Sequence, residues 1–163
     1  VMDMLRGVVI ASGNDASKAL AEHIGGSESG FVALMNAEAK KLGMSKTQFA
    51  NAAGLPDPNN KASARDLAVL AAAIIRNSAE YYPIYAEREF TYNGIKQGNR
   101  NALLYTDPTV DGLKTGHTAD AGYCLVTSSK RNDMRLISVI LNTHSAQARA
   151  DHSRTLLGWG FSS

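Results

Sequence analysis

Apolar positions in the first half of the chain recur at helical spacing. Met4 to Ile10 reads as a helical stretch that gives way to Ser12-Gly13-Asn14. Asp15 to Ile24 then carries Ala16, Ala19, Leu20 and Ile24 on one face, and the Gly25-Gly26 pair ends it. A further helix is expected from Ser29 to Leu42, with Phe31, Leu34, Met35 and Leu42 inward, Lys40 and Lys41 near its C-terminus and Gly43 as its stop. The clearest pattern runs from Ser63 to Ile75. There Leu67, Leu70, Ala71, Ile74 and Ile75 form an i, i+3, i+4, i+7, i+8 stripe, and Ser63 with Asp66 resembles a capping box in which Asp replaces Glu or Gln. Residues 51–60, rich in Asn, Pro, Asp and Gly, read as a loop.

After Tyr85 the period shortens. Glu87 to Tyr92 alternates toward a strand, Ala121 to Ser129 and Arg135 to Leu141 are apolar or β-branched runs, and Lys130 to Asp133 is a polar turn that joins them as an antiparallel hairpin. Ala146 to Gly158 returns to helical spacing through Ala150, Leu156 and Leu157, ending at Trp159-Gly160. Helices, then strands, then a closing helix predict an α+β fold with helices packed on an antiparallel sheet. The 163 residues suit one domain, mainly helical over 1–86 and strand-rich with a closing helix over 87–163.

Composition narrows the function classes. With 44% hydrophobic and 20% charged residues, disorder and coiled coil are poor readings. The longest apolar run, Leu67 to Ile75, is half of the roughly 18 residues that argue for a membrane span. Basic residues number 17 against 15 acidic ones and are scattered, so nucleic acid is not an expected partner. The single Cys124 excludes an intramolecular disulfide and a multi-cysteine zinc site, and its setting reads as a buried thiol. His23, His144 and His152 show no metal-ligand spacing, so no metal or cofactor is implied, and Met35, Met44 and Met134 read as core filler. No leader pattern of basic and apolar segments is legible, and Val1 to Arg6 already reads as helix interior, which predicts a chain that starts mid-protein.

Two tripeptides could carry chemistry, Ser12-Gly13-Asn14 and Lys114-Thr115-Gly116, about a hundred residues apart. Alone, the first reads as a helix N-cap and the second as a loop-to-strand junction with an exposed lysine. Together they match the second and third signatures of the active-site-serine penicillin-recognising enzymes. With Gly7 to Ala16, Asn99-Arg100-Asn101, Val110 to His117, Ala121-Gly122-Tyr123, Met134 to Val139 and Leu157 to Phe161, the whole chain resembles the low-molecular-mass penicillin-binding proteins that are serine-type D-alanyl-D-alanine carboxypeptidases of the S11 type. That resemblance implies the β-lactamase/penicillin-binding-protein-like transpeptidase fold, an antiparallel sheet with flanking helices and a helical subdomain. It also implies removal of the terminal D-Ala from peptidoglycan pentapeptide stems through an acyl-enzyme, with penicillins and other β-lactams as acylating mimics.

The resemblance assigns jobs to particular residues. Ser12 relays a proton between base and leaving amine. Asn14 donates to the substrate's acyl-side carbonyl and accepts from the catalytic lysine. Lys114 supplies positive charge toward the substrate carboxylate and helps keep a neighbouring lysine neutral. Thr115 offers its hydroxyl to that carboxylate, and Gly116 leaves the strand edge bare for an extended peptide. The backbone N–H of His117, rather than its ring, matches the second oxyanion donor. Arg149 falls where a guanidinium would face the C-terminal carboxylate. Arg100 either supports the Lys-Thr-Gly strand electrostatically or sits in an ordinary structural ion pair.

The first signature, Ser-x-x-Lys, is missing. The residue three before each lysine is Asp15, Ala37, Glu38, Gly43, Pro58, Asn93, Asp111 or Thr127, and Thr127 lies at a strand end rather than at the start of a buried helix. The expectation is therefore a C-terminal part of a catalytic domain whose N-terminal segment carries the nucleophile. The rival readings are a non-catalytic module that captures D-Ala-D-Ala ends and a class A-like β-lactamase. The second is disfavoured because Gly13 stands where Ser-Asp-Asn has Asp and no Glu-x-x-Leu-Asn follows. Family members occupy the bacterial periplasm or cell-wall compartment, commonly tethered to the membrane.

Overall fold

The computed structural model describes residues 1–163. Four helices come first: α1 (Met2–Val9), α2 (Asn14–Gly25), α3 (Glu28–Lys41) and α4 (Ala64–Asn77). A 3-10 turn at Tyr82–Ala86 leads to a two-stranded hairpin, β1 (Glu89–Tyr92) and β2 (Ile95–Gly98), then to the single-turn helix α5 (Leu103–Thr106). A three-stranded antiparallel meander follows, β3 (Val110–Thr118), β4 (Gly122–Arg131) and β5 (Met134–Thr143), and α6 (Ala146–Ser162) closes the chain. The α+β expectation holds.

Local signals set the helix starts. The hydroxyls of Ser27, Ser63 and Ser145 accept from the backbone N–H groups of Gly30, Asp66 and Ala148 at 3.0, 3.1 and 2.9 Å, caps that contribute about 1 kcal/mol each. The capping box at Ser63 is only half made. The Asp66 carboxylate turns away and accepts instead from the Lys46 N–H (2.8 Å) and the Thr47 hydroxyl (2.7 Å), which ties the chain after α3 to the start of α4.

Strand alternation sends consecutive residues to opposite sides of the meander. Leu125 and Leu136 pack with Leu103, Leu104, Val110 and Leu157 under α6, whereas Val126 and Ile137 pack with Ala71, Tyr82 and Leu113 on the side of α4. Full burial of a leucine such as Leu125 or Leu157 contributes roughly 1.5–3 kcal/mol. The sheet is thus held between α6 and the helical part of the chain.

Several expected inward positions face solvent. Ile24 is 59% exposed, Leu34 51%, Leu156 41% and Met134 51%. In α2 the buried residue is Ala21, and a Cβ at Gly25 would lie 2.4 Å from the Phe31 nitrogen, so the closely packed α2–α3 pair admits only small side chains and turns Ile24 outward. Cys124 is half-buried rather than buried.

Candidate active site

β3 is an outer strand, paired with β4 along one side and with nothing along the other. Its Lys114 side chain leaves the sheet and reaches the corner between α1 and α2. There Nζ donates to Ser12 Oγ at 2.5 Å and to the Thr115 carbonyl at 2.9 Å. Ser12 sits in the left-handed region with φ 55°, a conformation that costs a non-glycine residue of order 1–3 kcal/mol. The next peptide helps hold it there, because the Gly13 N–H donates to the Gly7 carbonyl at the end of α1 (2.9 Å). Gly13 is the residue that caps α2, without any side-chain cap bond, so the N-cap reading of Ser12 and Asn14 fails.

The Lys114 ammonium is half-buried, not exposed. Burial first, then the like charges of Arg100 and Arg149, lower its pKa from 10.5 to about 8. Arg149 lies in the first turn of α6 and is only 6% exposed; its Nη1 donates to the Gly116 carbonyl at 3.3 Å. Desolvation is also the main cause that lowers the Arg149 pKa. None of the six ion pairs in the chain includes Lys114, Arg100 or Arg149. Three cations therefore converge on one strand edge without an acidic partner. Such an arrangement stabilises an incoming anion, because the two desolvated charges, Lys114 and Arg149, gain most from a carboxylate.

Gly116 is exposed, and a Cβ there would meet nothing closer than the Cys124 Cβ at 4.0 Å. The fold does not need a glycine at this position. The contrast with Gly112, four residues earlier, is sharp: a Cβ there would lie 2.5 Å from the Tyr82 hydroxyl. That hydroxyl donates to Asp111 Oδ1 (2.9 Å), whose carboxylate also takes both Arg135 Nη atoms at 2.8 and 3.0 Å, while Arg135 reaches Ser128 Oγ at 2.7 Å. Asn101, fully buried, donates to the Gly112 carbonyl at 3.0 Å. This node fastens the root of β3 to the helical part.

The family profile described as D-alanyl-D-alanine carboxypeptidase, Peptidase S11, matches residues 1–145. The chain belongs to this family. It is 51% identical to the D-alanyl-D-alanine carboxypeptidase DacA of Haemophilus influenzae over 99% of its own length and 42% of that protein's. Penicillin binding protein 5 of the same organism superposes with a TM-score of 0.97 at 49% identity, covering 99% of this chain and 48% of that one. Penicillin-binding protein D2 of Listeria monocytogenes, solved in an ampicillin-bound form, superposes with a TM-score of 0.90 at 33% identity over 98% and 66% of the two chains. The chain spans about two-fifths of the length of the curated relatives it matches.

Within this carboxypeptidase family chain, the structure brings Ser12, Lys114, Thr115, Gly116 and Arg149 to one edge. Asn14 opens α2 with its amide exposed and free of hydrogen bonds within the chain, and the Thr115 hydroxyl is equally free. Arg100 is exposed and acts on Lys114 through charge, so its alternative as a structural ion pair is not realised. The His117 ring stacks on Tyr123, with centroids 3.9 Å apart and planes at 21°. Tyr123 belongs to the Ala121-Gly122-Tyr123 segment that carries the family resemblance, and no sequence signal assigns it a role. Its place directly opposite His117 on β4 is visible only in the register.

Proposed function

We propose that these residues form the carboxylate-binding half of the active site of a serine-type D-alanyl-D-alanine carboxypeptidase, in which Ser12, Asn14 and Lys114 take part in catalysis. The observation that carries this reading is the Lys114–Ser12 hydrogen bond at an open strand edge flanked by Arg100 and Arg149. A Ser-x-x-Lys outside these 163 residues supplies the nucleophile and its base. The serine oxygen attacks the carbonyl of the penultimate D-Ala, the bond to the terminal D-Ala nitrogen breaks, that nitrogen takes up a proton, and water then releases the shortened peptide.

Each residue contributes by its chemistry. Because Lys114 occupies a lone pair of Ser12 Oγ, the Ser12 proton is free to pass to the leaving nitrogen, which suits a proton relay. Arg149 and Thr115 hold the terminal carboxylate, a planar fork and a hydroxyl acting on one anion. Asn14 donates to the acyl-side carbonyl. Gly116 admits an extended peptide beside β3, and the His117 N–H serves as an oxyanion donor typically worth about 3–4 kcal/mol. Arg100 keeps the edge electropositive. β-Lactams acylate the same serine as mimics of the D-Ala-D-Ala end.

The protein acts on peptidoglycan in the bacterial cell-wall compartment, the setting that the family resemblance implies; no helix here is long and apolar enough to cross a membrane. The test is labelling of the full-length protein by a fluorescent penicillin together with release of D-alanine from a pentapeptide. Both should occur, and both should fall about 10²–10⁴-fold in Ser12→Ala. Reversible peptide binding without D-alanine release would favour the binding-module reading, and rapid penicillin hydrolysis would favour a β-lactamase.

A further inference from the structure

We infer that Tyr123 is a positioning residue, which fixes the Arg149 guanidinium for a ligand that ends in a free carboxylate; the inference rests on the carboxypeptidase reading. The Arg149 guanidinium carries five N–H donors, yet the residue is 6% exposed and the only hydrogen bond its side chain makes within the chain is the 3.3 Å contact to the Gly116 carbonyl. Beside it lie the Cys124 thiol and the Tyr123 ring. The guanidinium carbon lies 5.4 Å from the centre of the Tyr123 ring, within the range of a cation–π contact. The same ring carries the His117 imidazole at 3.9 Å.

The Tyr123 ring is itself well located. The β4–β5 register shifts between Tyr123 and Leu125, and on β5 Asn142 takes the left-handed conformation with φ 57°. Such a bulge re-aims the side chains beside it. The Thr143 hydroxyl lies 2.8 Å from the Tyr123 carbonyl and 3.1 Å from the Ser145 carbonyl at the start of α6, so one residue joins the strand that carries Tyr123 to the helix that carries Arg149. The Tyr123 hydroxyl has no hydrogen bond within the chain. The ring face, rather than the phenol, is therefore the part that acts, and phenylalanine should replace it.

The test uses the full-length protein and compares Tyr123→Leu, Tyr123→Phe and Arg149→Ala on acetyl-D-alanyl-D-alanine and on its C-terminal amide. Binding is read by calorimetry, and turnover by release of D-alanine from the acid and of D-alaninamide from the amide. For the acid, Tyr123→Leu should weaken Kd and raise KM about tenfold with kcat within twofold, and Tyr123→Phe should match the parent. For the amide the variants should not differ, and adding Tyr123→Leu to Arg149→Ala should change nothing further. Equal losses on acid and amide, a Phe variant as weak as the Leu variant, or an unchanged Leu variant would overturn the inference. Tyr123→Met replaces Tyr123→Leu if the latter does not fold. If the acid binds with this pattern and no D-alanine is released, the catalytic reading fails and the role of Tyr123 stands.

Discussion

The two glycines of β3 differ in what surrounds them. Gly112 is filled: the Tyr82 hydroxyl occupies the space of a side chain, and Asp111, Arg135, Ser128 and Asn101 satisfy one another around it. Gly116 is bare: nothing closer than the Cys124 Cβ at 4.0 Å borders the same space, and the cations beside it, Lys114 and Arg149, lack acidic partners. The first region is closed upon itself and holds the fold. The second has its donors left over for something that is not part of the chain.

Substitutions can break that contrast. The largest effect is expected at Lys114. Replacing it by Ala should lower penicillin acylation of the full-length protein about 10²–10³-fold. Because the ammonium is desolvated and repelled by two arginines, thermal unfolding should shift little or rise. A collapse of stability would show instead that Lys114 belongs with the structural region.

The glycines themselves should separate the two roles. Gly112→Ala forces Tyr82 off Asp111 and should destabilise the protein by about 1–3 kcal/mol in urea unfolding. Gly116→Ala should cost under about 0.5 kcal/mol, yet slow acylation at least several-fold by filling the edge where a ligand lies. Equal stability losses at both positions would erase the distinction.

A smaller effect is expected from pH. Lys114 titrates near 8 in the fold against 10.5 when unfolded, so between these values the unfolded chain binds more protons and this group's contribution to stability rises with pH. Carboxylate binding should run the other way, weakening as Lys114 loses its charge above pH 8. Arg100→Ala, the mildest change, should move the titration upward by removing one like charge, as NMR of the lysine side chain can read.

Much of this organisation was legible in the sequence, and the failures have physical causes. The helices near residues 2–9, 14–25, 28–41, 64–77 and 146–162 follow apolar periodicity, and the last three of them also start at serine caps. Periodicity did not show β3, whose strand edge at Lys-Thr-Gly came from the family resemblance, because Val-Asp-Gly-Leu-Lys-Thr-Gly-His-Thr carries two glycines and two charges and pairing with β4 makes it a strand. The alternation over Glu87 to Tyr92 did mark β1, but its partner β2 was missed although Asn93-Gly94, both at positive φ, is a strong turn signal. In the candidate site, motif chemistry pointed to Ser12 and Lys114, but the burial of Arg149 and the stacking of Tyr123 on His117 depend on strand register and helix docking. No local pattern encodes those.

The most direct test is a crystal structure of the full-length protein acylated by a penicillin. The account predicts the antibiotic's carboxylate within hydrogen-bond reach of Thr115 and Arg149 on the side of Lys114, with its acyl side chain running beside β3 at Gly116. A drug bound elsewhere, or a carboxylate that points to solvent with Lys114 and Arg149 untouched, would contradict it.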